Sequence, residues 1–329
     1  ANSLGVDVNE SSTITVLAVG HTTPVSIADG KTLSGAVTVT GGSIKLGETG
    51  TLASSISMSG GTTLDADNSL TVSGTLTHTG NISIEVATNK TLTYSGAAIS
   101  VGANTLYLRG GGSLVSGGLT LNDASSKIQL SFITVDSVST SVDNSLGLYV
   151  GAESTVSSIL VSNILPVAIE VGRSLSGAIT VTNNGTLKLI GDWANRSGGL
   201  LSSISMSDGT TLEADISLTV TGALTHTGNI TIDVADTETL TYTGTAISVG
   251  ANTLTMSGKG TFNNTNALVL NDASSKLLLS NTATVGSVSA SLASLGVDVN
   301  EDSTITSLAV GHTTPVSIAA GKTLSGGVT

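Results

Sequence analysis

Four histidines are the first residues to weigh for catalysis, because histidine is the side chain used most often as a general acid or base. His21 and His312 occupy one repeated position, and His78 and His226 occupy another. Each lies in a threonine-rich HTT or THTG segment, with no nucleophile or carboxylate at a spacing that would complete a catalytic set. We interpret them as repeated surface or turn residues, and we predict no catalytic residue in this chain.

Two carboxylate pairs also invite a chemical interpretation: Asp65 with Asp67 in LDAD, and Glu213 with Asp215 in LEAD. Alternate residues of a strand face the same side, so each pair shares one face. Paired carboxylates can perform glycoside hydrolysis or bind calcium. Because each pair stands alone, without a tryptophan that could hold a sugar, we interpret both as solvated strand faces.

The best candidate metal ligands are Asp298, Asn300 and Asp302, in the segment DVNED. Their oxygen atoms alternate along the chain as in calcium-binding loops, although the glycine and the distal glutamate of an EF-hand are missing. Calcium is therefore the one cofactor that the sequence suggests, and otherwise we predict none.

Trp193 is the single tryptophan, and it lies in the segment IGDWANRSGG. This segment is an insertion relative to an earlier, similar part of the chain, and inserted loops often carry binding residues. We consider two roles for Trp193: a binding loop, or a cover for an edge of the structure.

Strands must position all of these residues. Segments such as AVTVT, NISIEV and TLTYSG alternate apolar with small polar residues, and glycine- or asparagine-rich turns separate them. Hydrophobic residues make up 39% of the 329 residues but aromatic residues only 2%, so the core must consist of small aliphatic side chains. The sequence predicts an all-β protein.

The chain is internally repeated. Residues 3–38 and 294–329, 36 positions each, differ only at Ser11/Asp302, Val16/Ser307, Asp29/Ala320 and Ala36/Gly327. A weaker copy starts at Ser145, and SISMSGGTTLDAD near the start of the chain returns as SISMSDGTTLEAD. Such identity is typical of a tandem array. We divide the chain into module A (1–144), module B (145–293) and the beginning of a further module A (294–329), with a repeat unit of about 291 residues.

A right-handed parallel β-solenoid (β-helix), repetitive and elongated, fits this pattern best, because each coil needs only small aliphatic residues to pack on the next. Aligning VSIADGKTL, ISMSGGTTL and ISIEVATNKTL predicts coils of roughly 25–30 residues, about five per module. About ten coils would then advance near 50 Å per repeat at about 4.8 Å per coil. Tandem β-sandwich domains are the alternative architecture.

The strand pattern also predicts which side chains fill the solenoid. We expect these residues of module A and their counterparts in module B to point inward: Val37, Val39, Ile56, Leu64, Leu70, Val72, Leu76 and Leu92, with Ile204, Leu212, Leu218, Val220 and Leu224.

Charge and cysteine content exclude several classes of function. The net charge is −12, from 11 Lys and Arg against 23 Asp and Glu, and no basic stripe is present. We therefore expect no nucleic-acid partner. No run of about 18 apolar residues occurs, so we expect no membrane insertion. The absence of cysteine excludes disulfides and thiol catalysis.

The cysteine-free, aromatic-poor repeats SLTVSGTLTHTG and SLTVTGALTHTG resemble the β-solenoid stalks of large bacterial surface proteins. Filamentous-haemagglutinin-type adhesins and autotransporter passengers are similar in texture along the whole chain. The resemblance implies an exported, extended stalk or fibre.

We therefore expect a structural, non-enzymatic filament protein that is extracellular or at the cell surface. Its partners would be further repeats of the same chain or head-to-tail copies. The alternatives are an adhesin that binds glycans or a host surface, a β-helix polysaccharide enzyme and an ice-binding solenoid.

Overall fold

A computed structural model describes residues 4–143, 145–191 and 198–329. About 56% of the chain is strand, and the described residues contain no helix. The chain divides into two compact units, Ala1–Ile159 and Leu160–Thr329, called unit 1 and unit 2 below.

Unit 1 is a stack of coils, and each coil adds one strand to each of up to three parallel sheets. The first sheet contains, in order, Val6–Val8, Thr23–Ile27, Ser43–Gly47, Thr63–Ala66, Ile82–Val86, Thr105–Arg109, Lys127–Ser131 and Gly147–Val150. The second contains Ser12–Thr13, Thr32–Ser34, Thr51–Leu52, Leu70–Val72, Thr91–Tyr94, Ser113–Ser116 and Thr134–Thr140. The remaining side has Leu17–Val19, Ala36–Val39, Ser55–Met58, Leu76–His78, Ile99–Ser100 and Leu119–Leu121, and the strand Ser154–Val161 begins in this unit.

Unit 2 has the same construction. Its first sheet contains Ile164–Ile169, Thr186–Ile190, Thr210–Ala214, Ile230–Val234, Thr253–Gly258, Lys276–Leu279, Gly296–Val299 and Val316–Ile318. The other sides contain Ser174–Val181, Gly199–Leu200, Ser203–Met206, Leu218–Val220, Leu224–His226, Thr239–Tyr242, Ile247–Ser248, Thr261–Asn264, Leu268–Leu270, Thr284–Ala290, Ser303–Val310 and Leu324–Val328.

The fold is an all-β, right-handed parallel β-solenoid of about 15 turns, as the sequence predicts. The β-sandwich alternative is wrong, because sandwich sheets are antiparallel. Here equivalent strands of successive coils pair in parallel and nearly without register shift, as in Thr63 opposite Ser43 and Ser83 opposite Thr63.

The predicted coil length is wrong. Successive first-sheet strands are offset by 19 residues where Val6 faces Val25 and by 25 where Thr186 faces Thr211. Seven first-sheet strands, from Val6–Val8 to Lys127–Ser131, fall within residues 1–144, and seven more, from Gly147–Val150 to Lys276–Leu279, fall within 145–293. Of the three segments aligned to obtain 25–30 residues, those at Val25 and Ile82 lie in the first sheet, whereas the one at Ile56 lies on another side of the coil. Treating all three as equivalent counts too few coils between them and overestimates the coil length.

The predicted core is confirmed. All thirteen residues expected to point inward are buried, the most accessible being Leu76 and Leu218 at 8%. Inward residues alternate with half-exposed ones, as in Leu106 and Leu108 around Tyr107. The interior therefore consists mostly of aliphatic rows that run from coil to coil, with Tyr94, Tyr242 and Phe262 as larger members that the expectation of a purely aliphatic core did not include.

One repeated glycine shapes each copy of the segment KTLSG. Gly35 has φ 126°, and a Cβ atom there would lie 1.9 Å from the carbonyl oxygen of Ile14 in the preceding coil. Gly326, at the same position of the later copy, has φ 123° and would place a Cβ atom 1.7 Å from Ile305 O. Both the left-handed φ and the contact with the neighbouring coil require glycine.

Candidate functional site

Both carboxylate pairs face a lysine from the preceding coil. Lys45 Nζ lies 2.8 Å from Asp65 Oδ2 and 3.5 Å from Asp67 Oδ2. In unit 2, Lys188 Nζ lies 2.5 Å from Glu213 Oε1 and 2.8 Å from Asp215 Oδ2. We call each site an ion-pair clamp, because one lysine on one coil pairs with two carboxylates on the next coil. The sequence interpretation had no partner for these carboxylates, because the lysines lie 20 to 27 residues away along the chain.

The electrostatics of the clamps keep the lysines charged. The hydrogen bond to Asp65 raises the pKa of Lys45, with burial opposing it. Burial disfavours the charge of Lys188, but hydrogen bonds to Asp215 and Glu213 outweigh burial and raise its pKa. Burial also raises the pKa of Asp65, and Lys45 offsets only part of this increase. The side chain of Asp65 is only 13% exposed, so the predicted solvated face is drier than expected at this residue.

The candidate calcium ligands turn to different neighbours. Asp298 pairs with Lys276 of the preceding coil. Asp302 Oδ1 accepts hydrogen bonds from the backbone N–H (2.8 Å) and the hydroxyl (2.9 Å) of Thr323, in the following coil. The Thr323 hydroxyl and N–H lower the pKa of Asp302. The two carboxylates of the candidate calcium site therefore bond to different coils: Asp298 to the preceding coil and Asp302 to the following one.

Two of the four histidines contact backbone carbonyls. The Nδ1 of His78 lies 2.9 Å from Gly80 O and its Nε2 lies 3.0 Å from Ser100 O. His226 repeats the first contact, with Nδ1 2.8 Å from Gly228 O. His78 borders an open groove of about 360 Å³, where Tyr94 Oη accepts a hydrogen bond from Leu76 N–H at 2.9 Å. His21 and His312 are exposed.

A second groove, of about 390 Å³, lies on unit 1 and was not predicted from the sequence. It is lined by Glu85, Thr88, Arg109, Gly110, Gly111, Ser131 and Phe132. Arg109 Nε donates a hydrogen bond to Glu85 Oε2 at 3.2 Å, and Phe132 is 55% exposed. An aromatic ring, a guanidinium and a carboxylate therefore meet at one open surface.

The proposed binding residue Trp193 lies outside the described residues. Across the parts of the chain that the structure describes, no group of three or more His, Cys, Asp or Glu could hold a metal ion. A search of the same residues for a helix that is long and apolar enough to span a membrane finds none.

Comparison of the chain with protein-family models, with curated proteins and with solved structures finds no match. The solenoid fold that the resemblance to bacterial surface stalks implies is confirmed. The resemblance to haemagglutinin-type or autotransporter proteins stays a prediction.

Proposed function

We propose that this chain has a structural, non-catalytic role as part of an extracellular fibre or stalk. The supporting observation is the way in which coils are joined within each unit. Parallel backbone ladders connect each coil to its neighbours with almost constant register, and they run along the direction in which the coils stack. Load along this direction is shared among many hydrogen bonds at every step.

Side chains strengthen the same steps. The ion pairs Lys31–Glu10, Lys45–Asp65, Arg109–Glu85, Lys188–Glu213 and Lys276–Asp298 each connect neighbouring coils. Outward strand positions carry small hydroxyl residues, as in the row Thr51, Thr71 and Thr93. This combination suits a stiff, polar rod that resists proteolysis.

The fibre proposal makes a dimensional prediction. Seven coils per module at about 4.8 Å each give about 34 Å, so a fibre in which the coils continue from module to module would have a repeat of about 67 Å rather than the 50 Å expected from longer coils. Electron microscopy of the native protein, with antibodies against one repeated epitope such as residues 3–38, should show thin filaments labelled at multiples of this distance. Compact particles without periodic labelling would contradict the fibre.

The location is tested separately. Antibodies against the same epitope should label intact, unpermeabilised cells of the source organism by immunogold microscopy. Labelling that requires permeabilisation would contradict the surface location and leave the structural role open to the filament measurement.

A further inference from the structure

Among the aromatic residues that the structure describes, Phe132 departs furthest from the solenoid pattern. The residue is 55% exposed in a chain with 2% aromatic residues, and its backbone has φ 54°. A left-handed conformation is costly for a bulky residue. The conformation is held by Gly111 N–H, which donates to Phe132 O at 2.6 Å. The backbone thus keeps an apolar ring on the surface.

Two polar side chains line the same groove as this ring. Arg109 and Glu85 occupy paired positions on adjacent first-sheet strands, and their side chains are 51% and 40% exposed. The floor of the groove is backbone, because Gly110 approaches Val86 so closely that a Cβ atom would lie 2.3 Å from Val86 O. The site therefore combines a flat apolar wall with two exposed, planar hydrogen-bonding groups.

The equivalent coils of unit 2 lack this combination. Asp233 and Ser257 replace Glu85 and Arg109, and Ser257 Oγ donates to Asp233 Oδ2 at 2.6 Å. Asn281, which tolerates left-handed backbone better than phenylalanine, follows Ser280 where Phe132 follows Ser131. Because unit 2 forms the same coils with small residues, the fold does not require the aromatic–arginine–glutamate set.

We infer that the groove of Phe132, Arg109 and Glu85 binds a neutral hexose unit of a glycan. The apolar C–H face of a pyranose can pack on the Phe132 ring. Neighbouring hydroxyls can donate to the Glu85 carboxylate and accept from the Arg109 guanidinium. A mostly open groove with few polar groups suits one or two sugar units of a longer chain.

Charge favours a neutral sugar over an acidic one. Arg109 is already paired with Glu85, and Asp65 lies next to Glu85 in the same row of the sheet. The chain as a whole carries a net charge of −12. A uronate or sulfated sugar would meet repulsion here, whereas hydroxyl groups would not. This inference goes beyond the fibre role and does not depend on it.

Saturation-transfer NMR on the 329-residue chain tests the inference with cellohexaose, maltohexaose and mannohexaose, and with a galacturonate hexamer as the acidic comparison. At least one neutral hexaose should receive saturation, and it should bind more tightly than the galacturonate. Phe132→Asn should weaken that binding about tenfold or more. Arg109→Ser combined with Glu85→Asp, which copies unit 2, should have a similar effect.

The controls separate binding from folding. Phe132→Trp keeps an aromatic wall and should retain binding, whereas Asn281→Ala alters the corresponding place in unit 2 and should change nothing. Circular dichroism of Phe132→Asn should match that of the parent chain, because asparagine tolerates left-handed backbone. Absence of binding by all three neutral hexaoses, tighter binding of the galacturonate, or unchanged affinity in Phe132→Asn would each overturn the inference.

Discussion

The two units bury one tyrosine at the same place, Tyr94 in unit 1 and Tyr242 in unit 2, but they differ in where they place a further aromatic side chain. In unit 2, Tyr242 and Phe262 are buried and their rings stack with centroids 6.1 Å apart. In unit 1, Leu114 takes the place of Phe262, while Tyr107 lies on the outer side of its strand and Phe132 is exposed. The comparison shows that the parallel ladder defines the coil, and that the duplicated copies can carry a large side chain either in the core or at the surface.

The same coils also differ in one buried polar residue. Asn264 of unit 2 donates from Nδ2 to Asn266 O at 2.8 Å and Ser287 O at 2.7 Å, and its Oδ1 accepts from Ser287 N at 3.2 Å. In unit 1, Ser116 occupies this place, and its Oγ accepts from Gly118 N at 3.3 Å. Larger inward side chains in unit 2 therefore come with a denser internal hydrogen-bond network.

Removing the buried ring should have the largest effect. Phe262→Ala should destabilise the surrounding coils of unit 2 by about 3–5 kcal/mol, because a large cavity opens beside Tyr242. Phe262→Leu should cost less than about 1.5 kcal/mol, since Leu114 shows that leucine fits this coil. Hydrogen exchange of the Thr239–Tyr242 amides measures both changes. Equal losses for the two variants would show that the copies do not share one core geometry.

Breaking the polar network should have the next largest effect. Asn264→Ala leaves the N–H and carbonyl of Ser287 without their side-chain partner, which should cost about 1–3 kcal/mol. The matched change Ser116→Ala removes one long hydrogen bond and should cost less, about 0.5–1 kcal/mol. Exchange of the Ser287 and Gly118 amides reports the two losses. The proposed difference between the units fails if Ser116→Ala proves the more damaging change.

Much of the fold could be predicted from the sequence because the alternation of apolar and polar residues within one strand is enough to identify the inward side chains. Alternation identifies inward residues such as Leu64 and Leu212 without knowledge of the coil length, and both are buried. The coil length requires knowing which strands share a side. Segments with similar letters, such as VSIAD and SISMS, lie on different sides, so an alignment of them overestimates the period.

The candidate sites were harder to predict because they join different coils. Placing Asp65 and Asp67 on one face follows from alternation, but their partner Lys45 becomes visible only when the 20-residue step is known. Phe132 was missed because SFITV resembles a buried strand. Two residues, Ser131 and Phe132, separate the inward Leu130 and Ile133, which turns the ring outward. The signal in the sequence was the divergence between modules at this position.

A smaller effect should distinguish two lysines at one repeated position. Lys276 pairs with Asp298, whereas Lys127 Nζ lies 4.8 Å from the ring centroid of Tyr149. Lys276→Gln and Lys127→Gln should each cost about 0.5–1 kcal/mol at low salt. At about 1 M salt the cost of Lys276→Gln should shrink, because the ion pair is screened, while that of Lys127→Gln should change less. Thermal unfolding at both salt concentrations measures this, and equal salt dependence would contradict the distinction.

The threonine that follows one repeated turn, Thr32 in unit 1 and Thr323 in unit 2, donates its N–H to a different side chain in each copy: a neutral serine in unit 1 and a charged aspartate in unit 2. In unit 2 the N–H of Thr323 donates to Asp302 Oδ1 at 2.8 Å, and in unit 1 the N–H of Thr32 donates to Ser11 Oγ at 3.1 Å. Both turns also contain a Glu–Lys ion pair, Glu301–Lys322 and Glu10–Lys31. The ion pair is therefore common to both turns. The turns differ at Asp302, which stands where unit 1 has Ser11, and at Asp29, which stands where unit 2 has Ala320. Asp29 accepts a hydrogen bond from the Thr49 hydroxyl at 3.0 Å, whereas Asp302 accepts from the threonine amide of the turn itself.

The smallest expected effect is a pH response confined to the Asp302 turn. Its hydrogen bonds with Thr323 lower the pKa of Asp302 in the folded chain below the unfolded value of about 3.9. The carboxylate therefore stabilises the turn above the unfolded pKa, and this stabilisation is lost as the pH falls through the lower, folded pKa. Amide exchange of Thr323, followed by NMR below about pH 4, should accelerate more than that of Thr32 once intrinsic pH effects are removed. Asp302→Ser combined with Asp29→Ala removes both differences between the turns and should make the two amides respond alike; a persistent difference in that variant would assign the response to another group.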